Sequence, residues 1–277
     1  MVSQPSHRKR PLALVTGASS GLGKVFAERL AADGHDLVVV ARSASRLDEL
    51  AAQLTKRHSA QVEVLIADLA RKKGMRSVEE RIAAAPLSLL VNCAGFGTAG
   101  PFAELAVDGE EDVLRVNVLA LVRLTRAALP GMIARGRGAI INVSSMAGFQ
   151  PGPFSATYAA TKAYVTSFTE SLSEELRDTG VRVQALCPGF TRTEFQERAG
   201  LDVSDLPEVA WMSAEEVVAS SLAALLRGEV VHVPGRANKV VAGLVGFAPR
   251  AALRRVAGAM MRTRVPSPKA PSSGSPG

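Results

Sequence analysis

The chain has 277 residues, enough for one large α/β domain or two small ones, and 47% of them are hydrophobic while only 4% are aromatic. A core of this kind is built mainly from Val, Leu, Ala and Ile, the composition of parallel strands covered by helices on both faces. The formal net charge of +7 lies in the flanks: residues 1–10 carry three basic side chains, residues 230–277 carry eight, and neither segment contains an acid. Residues 11–229 therefore carry a net charge of −4, which argues against a nucleic-acid-binding groove on the core.

Short apolar runs alternate with longer amphipathic stretches, which predicts repeated βαβ units and a parallel sheet. The predicted strands are residues 12–16, 37–40, 62–67, 87–92, 139–143, 181–186 and 230–233. The predicted helices run from the turn after the first strand to about residue 32, and then over 45–57, 71–84, 109–135, 157–179 and 214–227. The long helix 109–135 is expected to be disturbed at Pro130, which lacks a backbone donor. One or two further helices, broken at Pro249, are expected within 239–264.

The ends of the chain differ in composition from its body. We predict a disordered basic N-terminus at 1–10, the main domain at 11–235, a basic helical extension at 236–264 and a disordered Pro-, Ser- and Gly-rich tail at 265–277. No apolar run reaches the roughly 18 residues of a membrane span, and the first residues lack the pattern of a signal peptide. The two cysteines, Cys93 and Cys187, follow strands that another strand should separate by roughly 9–10 Å, too far for a disulfide. We therefore expect a cytoplasmic protein with reduced thiols.

A glycine-rich segment, T-G-A-S-S-G-L-G at 16–23, joins the first predicted strand to the first helix. Its spacing is G-x-x-x-G-x-G rather than the G-x-G-x-x-G of many dinucleotide sites. The glycines let the backbone approach a pyrophosphate, whose charge meets the free N–H groups of the helix start. The candidate contacts in this segment are Gly17, Ser19, Ser20, Gly21, Leu22 and Gly23. The alternative is an ordinary turn between a strand and a helix.

The residue after the second strand indicates which dinucleotide is preferred. Sites for NAD place an acid there to accept hydrogen bonds from the ribose, whereas this chain has Arg42. A guanidinium pairs with a 2′-phosphate that a carboxylate would repel, so Arg42 favours NADP(H), with Ser43, Ser20 or Arg46 as candidate helpers. The alternative is a surface arginine in a loop that enters a helix.

Tyr158 and Lys162 are four residues apart and share one face of a predicted helix. A phenol with a reference pKa of about 10 becomes an acid–base group at neutral pH when a nearby cation stabilises its phenolate, which Lys162 is placed to do. Thirteen residues before Tyr158, Ser145 follows an apolar strand, at the sheet edge where ligands bind. Asn117 lies inside the long apolar helix, where it is either a satisfied core residue or part of a polar relay.

Together these residues closely resemble the short-chain dehydrogenase/reductase family of the common single-domain type, over residues 11–233. The resemblance includes Asp68-Leu69 after the third strand, Asn92-Cys93-Ala94-Gly95 and Pro188-Gly189. It implies an α/β, doubly wound (Rossmann-type) catalytic domain at 11–235, with a seven-stranded parallel sheet in the order 3-2-1-4-5-6-7.

The resemblance also implies roles for particular residues. The catalytic set is Asn117 (water in a proton relay), Ser145 (substrate oxygen), Tyr158 (acid and base) and Lys162 (nicotinamide ribose and tyrosine pKa). Further cofactor contacts are implied at Asp68, Leu69, Asn92, Ala94, Gly95, Pro188, Gly189, Thr191 and Thr193. The chain departs from the family pattern at Cys93, which is small and apolar, and at Thr191, where an aliphatic residue is common.

The substrate is predicted to be a small apolar carbonyl compound or alcohol. The candidate pocket residues are six aromatics from the predicted loops, Phe96, Phe149, Phe154, Phe190, Phe195 and Trp211. The four histidines are scattered and no metal site is expected. Two alternatives stay open: a non-catalytic NADP(H)-binding regulator, against which the intact catalytic set argues, and an epimerase, which a net redox change in the substrate would exclude.

The basic extension admits three interpretations. It could rest on an anionic membrane, cover the substrate cleft or a partner subunit, or simply pack against the domain with a solvated row of charges. The family resemblance further implies a homodimer or homotetramer formed through the two long helices.

Overall fold

The computed structural model describes residues 10–264, in which seven strands form one parallel sheet. The strands are β1 Leu12–Thr16, β2 Asp36–Ala41, β3 Val62–Ile66, β4 Leu87–Asn92, β5 Gly138–Val143, β6 Val181–Leu186 and β7 Val231–His232. Their order is β3-β2-β1-β4-β5-β6-β7 and every pairing is parallel, which confirms the predicted fold.

Ten α-helices occur within these residues. They are α1 Gly21–Ala32, α2 Ala44–His58, α3 Lys72–Ala83, α4 Val107–Leu114, α5 Leu121–Ala134, α6 Ala156–Glu175, α7 Phe195–Arg198, α8 Ala214–Leu226, α9 Arg236–Phe247 and α10 Arg250–Arg262. A π-helical turn, Arg115–Ala120, joins α4 to α5, and 3-10 turns lie at Phe102–Glu104, Met146–Phe149 and Glu208–Ala210.

The sheet is buried on both faces, as its apolar strands predict. Along β2, Leu37 and Val39 belong to a cluster that includes residues of α1, α2 and α8. Val38 and Val40 belong to a second cluster with residues of α3, α5 and α6. Because successive side chains of a strand point to opposite faces, this alternation places a layer of helices on each side.

The irregularity of the long helix lies elsewhere than predicted. The helix continues through Pro130 to Ala134, where the buried residues Ala128 and Met132 pack on either side of the proline. It is instead the Arg115–Ala120 turn that departs from α geometry. Such π-helical turns are frequent at functional sites, and this one contains Asn117.

The run from Val107 to Ala134 is one helical segment of 28 residues that is long and apolar enough to cross a membrane by length and composition alone. No uninterrupted apolar run of about 18 residues marks this segment in the sequence. Leu124, Ala128 and Met132 pack in the core with β4 and β5 residues, as expected of a core helix in an α/β domain. No spanning role follows from it.

The N-terminal end of the described chain differs from the prediction, whereas the C-terminal extension is helical as expected. Arg10, assigned to the disordered N-terminus, is ordered: its guanidinium donates to the carbonyl oxygens of His58 (2.9 Å), Ala31 (3.0 Å) and Gly34 (3.1 Å). The rest of that segment, 1–9, and the predicted tail, 265–277, lie outside the described residues. The extension forms α9 and α10 on either side of Pro249. Cys93 and Cys187 are both free thiols.

Candidate active site

The predicted site residues follow four strands that are neighbours in the sheet. β1 ends at Thr16, β4 at Asn92, β5 at Val143 and β6 at Leu186. Parallel strands end at the same edge, and ligands of doubly wound sheets bind at that edge. Residues far apart in the chain are thereby brought to one site.

The glycine turn after β1 has no room for side chains. Gly17 adopts a positive φ of 68°, and a Cβ added there would lie 2.9 Å from the Cα of Ala94. A Cβ on Gly23 would lie 2.3 Å from the carbonyl oxygen of Gly17. The Thr16 hydroxyl accepts hydrogen bonds from the backbone N–H groups of Cys93 and Ala94, both at 3.0 Å. The β1 turn and the segment after β4 therefore form one closely packed wall, which contains Gly17, Gly23 and Ala94 of the predicted contacts.

The start of α1 is suited to an anion. Ser20 precedes the helix but makes no side-chain cap, and no acidic residue occupies the first turn. The first N–H groups of the helix are therefore left to an external acceptor, and the helix dipole adds to their attraction for negative charge. This turn fits a pyrophosphate. Leu22 packs against the core and Ser19 is half-buried beside it.

The predicted adenosine-side residues lie at the ends of β2 and β3. Arg42 follows β2 directly and is exposed. Asp68 follows β3, where its carboxylate accepts a hydrogen bond from the Ala70 N–H at 2.9 Å, and Leu69 is buried. These positions at the carboxyl edge agree with the predicted placement.

Asn92 occupies a different position from the one expected. Its amide donates to the Asn142 side chain (2.9 Å) and to the Thr125 hydroxyl (3.1 Å), both in the interior. Asn142 in turn donates to Thr169 of α6 at 3.0 Å. The Asn92 side chain thus joins β4, β5 and two helices behind the cofactor wall, instead of shaping that wall directly.

Asn117 is 2% exposed and fully engaged. Its side-chain oxygen accepts from the Phe96 N–H (3.1 Å), and its amide donates to the Phe96 carbonyl (2.9 Å) and to the Thr161 hydroxyl (3.1 Å). Thr161 donates to the Tyr158 carbonyl at 2.7 Å. The π-helical turn therefore connects the segment after β4 with the helix that carries Tyr158. Sequence reasoning missed Thr161, although it lies within the Y-x-x-x-K segment.

Lys162 lies in the interior, where its ammonium group donates to the Val143 carbonyl at 2.8 Å and lies 5.6 Å from the centre of the Tyr158 ring. A Cβ on Gly95 would lie 3.5 Å from that ammonium, so Gly95 borders it. Burial lowers the pKa of Lys162 to about 8. The carbonyl of Val143, which ends β5, was not among the predicted partners.

Tyr158 does not show the lowered pKa that the sequence suggested. Burial raises the pKa of its phenol to about 12, and a hydrogen bond with Ser145 acts in the opposite direction. Desolvation of the phenolate thus outweighs the hydrogen bond with Ser145 in this arrangement. The hydroxyl of Ser145 also accepts from the Ala147 N–H at 3.1 Å, which caps the 3-10 turn after β5.

The candidate pocket residues separate into groups. The Phe195 ring lies 5.3 Å from the Tyr158 ring, and Phe190 lies 5.7 Å from Trp211, which Arg192 also covers. Phe96 borders Asn117 through its backbone. The remaining two candidates, Phe149 and Phe154, make other contacts. Phe149 packs with Ala185, Cys187 and Val233, and Phe154 adopts a positive φ of 63° while its carbonyl accepts from the Gly100 N–H.

The segment after β6 folds back over the glycine turn. The Pro188 carbonyl accepts from the Met146 N–H, and the Thr191 hydroxyl donates to the Gly189 carbonyl. A Cβ on Gly21 would lie 3.3 Å from the Thr193 methyl group, so these two predicted contacts are neighbours. Arg198 of α7 donates to the Ser20 hydroxyl at 3.2 Å. This contact joins α7 to the start of α1, and no local sequence signal indicated it.

The α9 helix adds a residue to this edge that the sequence did not single out. Asn238 borders Gly189, since a Cβ on that glycine would lie 2.8 Å from the Asn238 amide nitrogen. The same amide donates to the Pro234 carbonyl at 2.9 Å and contacts the Met212 sulfur at 3.6 Å. The basic extension is thus anchored beside the segment that follows β6.

The fold and this edge define a dinucleotide-binding α/β domain with a half-buried tyrosine beside a buried lysine. The sequence profile of the short chain dehydrogenase family matches residues 11–203. A human very-long-chain 3-oxoacyl-CoA reductase is 33% identical over 187 residues, which cover 66% of this chain and 60% of the relative. The chain thus spans less than two thirds of that relative's length.

Two solved structures resemble nearly the whole chain. A short-chain dehydrogenase from Sphingobium yanoikuyae in complex with NADPH is 38% identical, with a TM-score of 0.78, and the match covers 95% of this chain and 99% of that one. A bulky-bulky ketone specific alcohol dehydrogenase from Comamonas testosteroni is 32% identical, with a TM-score of 0.75, and the match covers 97% and 100%. The chain belongs to the short-chain dehydrogenase/reductase family of NAD(P)H-dependent oxidoreductases.

Proposed function

We propose that the protein is an NADP(H)-dependent oxidoreductase that interconverts a carbonyl and an alcohol on an apolar substrate, with Tyr158 as acid and base. The observation that carries this proposal is Tyr158, half-buried beside the buried Lys162 and joined through Thr161 to Asn117 at the edge that holds the glycine turn. A site that only bound a dinucleotide would not require a phenol there. The cofactor, when bound, supplies the hydride to the carbonyl carbon or accepts it from the alcohol carbon.

The protein's own groups handle the proton. With a pKa raised to about 12, Tyr158 keeps its proton at neutral pH and can donate it to the oxygen of a substrate as the carbonyl is reduced. Ser145 is placed to orient that oxygen, since its hydroxyl already interacts with the phenol. Lys162 and Asn117 hold the surrounding polar groups, Lys162 through Val143 and Asn117 through Phe96. The preference for NADP(H) favours reduction as the direction in cells.

Preference for NADP(H) rests on Arg42. It stands at the end of β2, where an acid would serve NAD, and its exposed guanidinium is free to meet a 2′-phosphate. The related Sphingobium enzyme in complex with NADPH supports this preference.

An apolar substrate is supported by the rings beside the phenol. Phe195 contacts Tyr158, and Phe190 pairs with Trp211 in the same segment after β6. The relatives named for very-long-chain 3-oxoacyl-CoA and for bulky ketones suggest that the substrate class is large and lipid-like or ring-containing.

Tyr158→Phe tests the catalytic role, and Tyr164→Phe is its matched control. Tyr164 is the other tyrosine, lies on the same helix and is 45% exposed. NADPH consumption would be measured with a panel of aliphatic, bulky aryl and steroidal ketones, alongside NADPH binding by fluorescence. We expect Tyr158→Phe to lower kcat by about 10²- to 10⁴-fold with binding retained, and Tyr164→Phe to remain near wild type.

Two other results would redirect the proposal. Full activity of Tyr158→Phe would remove the phenol from the mechanism. NADPH binding without reduction of any ketone would favour a regulator, and turnover without net redox change in the substrate would favour an epimerase.

We also propose a homo-oligomer and a cytoplasmic location. An exposed apolar strip crosses the α4–α5 run and α6, and it contains Leu114, Leu119 and Tyr164, each more than 40% exposed. Burial of such a strip against a second copy would remove its apolar surface from water. The free thiols of Cys93 and Cys187 suit a reducing compartment. Light scattering and cell fractionation are the corresponding measurements.

A further inference from the structure

We propose that the outer surface of α9 and α10 docks the protein on an anionic lipid bilayer. This surface, here called the docking face, consists of an apolar row on α9, Arg236 at the start of that helix and four arginines on α10. The proposal is independent of the proposed oxidoreductase activity, because none of these side chains belongs to the catalytic or cofactor-binding set.

The apolar row runs along the outside of α9. Asn238, Ala242 and Val245 turn towards the domain, and Ala242 packs with the small cluster around Val233. On the opposite side Val240, Leu244 and Phe247 follow the i, i+4, i+7 spacing of one helical face. Their exposed fractions are 62%, 66% and 92%. Exposure rises towards the corner before Pro249, where Phe247 stands almost wholly in water.

Basic residues precede and follow this row along the chain. Arg236 lies at the start of α9, and α10 contributes Arg250, Arg254, Arg255 and Arg262. Within residues 10–264 none of these five guanidinium groups lies within 4.0 Å of a carboxylate, whereas Lys239 and Arg264 are paired with Glu229 and Asp205. On α10, an open groove between the arginines is floored by the small residues Ala251, Gly258 and Ala259.

The charge distribution indicates that an anionic bilayer, and not a second copy of the chain, covers the docking face. Residues 230–277 contain no acid, so two copies facing each other through the docking face would bring only like charges together. A bilayer with anionic headgroups instead accommodates both features at once: aliphatic and aromatic side chains enter the boundary with the acyl chains while arginines meet the phosphates. Because residues 11–229 carry a net charge of −4, an anionic surface repels the rest of the domain and favours contact through the docking face.

Vesicle flotation tests the proposal with the full chain. The probes are phosphatidylcholine vesicles with and without about 30 mol% phosphatidylglycerol, at roughly 0.05 M and 0.5 M salt. We expect binding to the anionic vesicles at low salt, little binding to the neutral ones, and release at high salt. The triple variant Arg254→Glu/Arg255→Glu/Arg262→Glu should weaken partitioning by at least about 100-fold. Phe247→Glu should weaken it as well, because a carboxylate cannot enter the acyl boundary.

Matched controls separate docking from a general charge effect or misfolding. Lys56→Glu/Arg57→Glu reverses two exposed basic residues on α2, and Val209→Glu replaces an apolar residue that is 82% exposed in another segment. Both controls should bind vesicles like wild type, and every variant should keep the wild-type melting temperature. Equal binding of the docking-face variants and wild type would overturn the proposal. So would equal binding to neutral and anionic vesicles, or a wild-type dimer that Phe247→Glu converts to a monomer, which would show that a second copy covers the face.

Discussion

At the scale of single residues, Arg42 is the position on which cofactor choice should depend. We predict that Arg42→Ala raises the KM for NADPH by about 10- to 100-fold, since a hydrogen bond to a charged group contributes about 1.5–3 kcal/mol. The KM for NADH should change little, because NADH has no 2′-phosphate. Steady-state kinetics measures the KM for NADPH and the KM for NADH in each variant. The control is Arg57→Ala, which changes an exposed arginine at the far end of α2. Parallel changes for both cofactors would show that Arg42 does not contact the 2′-phosphate.

Residues whose roles follow from short-range spacing were predictable from the sequence. Tyr158 and Lys162 are four apart on one helix, and Ser145 follows directly after β5. Partners at long separation were not predictable in this way. Thr161 meets Asn117 across 44 positions, and the Val143 carbonyl meets Lys162 across 19. The sequence argument also considered only the nearby cation, whereas desolvation raises the pKa of Tyr158 in the folded chain.

At the scale of elements, an ion-pair group ties the segment after β6 to α2. The Glu194 carboxylate accepts from Arg46 of α2 at 3.1 Å and pairs with Arg198, which itself contacts Ser20 at the start of α1. The Arg46 hydrogen bond is the largest cause that lowers the pKa of Glu194, so the carboxylate is ionised at neutral pH. The negative charge of Glu194 lies close to the region proposed for the 2′-phosphate. It also pairs with Arg46, which is a candidate partner for that phosphate.

We therefore predict that Glu194→Gln lowers the KM for NADPH by up to about five-fold, because exposed ion pairs contribute only about 0.2–1 kcal/mol. The KM for NADH should stay the same. Kinetics with both cofactors at low salt provides the measurement, and Glu197→Gln, an exposed carboxylate on the same short helix, is the control. A higher KM for NADPH would mean that the pairing organises the site instead of competing with the phosphate.

Element boundaries were predictable to within a few residues, because apolar periodicity and glycine stops are local signals. The π-helical turn at Arg115–Ala120 was not predictable, since it preserves the apolar pattern of the helix around it. Pro130 misled the sequence argument for the opposite reason: its missing donor is a local cost that the packing of Ala128 and Met132 against the sheet outweighs. Both differences arise from tertiary contacts that override local preference.

At the scale of the whole molecule, the sheet order, including β7 at its edge, followed from the resemblance and from alternating strands and helices, whereas the side-chain contacts that link this edge to α8 did not. That edge is β7, only two residues long, which pairs with β6 and is linked to α8 through a buried histidine. The His232 ring contacts the Ser220 hydroxyl and the Glu229 carboxylate, each at 2.7 Å. The sequence treated His232 as one of four scattered histidines, because nothing local marks its two partners.

The same histidine gives the fold a predicted acid sensitivity. Burial lowers the pKa of His232 from its model-peptide value of 6.5, with Glu229 acting in the opposite direction, and burial likewise lowers the pKa of His35. The unfolded chain therefore binds more protons than the native one below about pH 6.5. The stabilisation is fully present above that pH and is lost as the pH falls, by at most about 1.4 kcal/mol per pH unit for each histidine.

We predict that the free energy of unfolding, measured by urea denaturation between about pH 7.5 and pH 5, declines below about pH 6.5. His232→Gln should be less stable at pH 7.5, because it loses the contacts to Ser220 and Glu229, but its stability should depend less steeply on pH. His35→Gln removes the half-buried imidazole whose pKa is also lowered and should flatten the same pH range, and the double variant should be the flattest. The Glu229 carboxylate itself does not titrate in this range, since its pKa is lowered to about 2. A wild-type stability that rises on acidification, or a slope unchanged in His232→Gln, would show that the imidazole is not held neutral at the edge of the sheet.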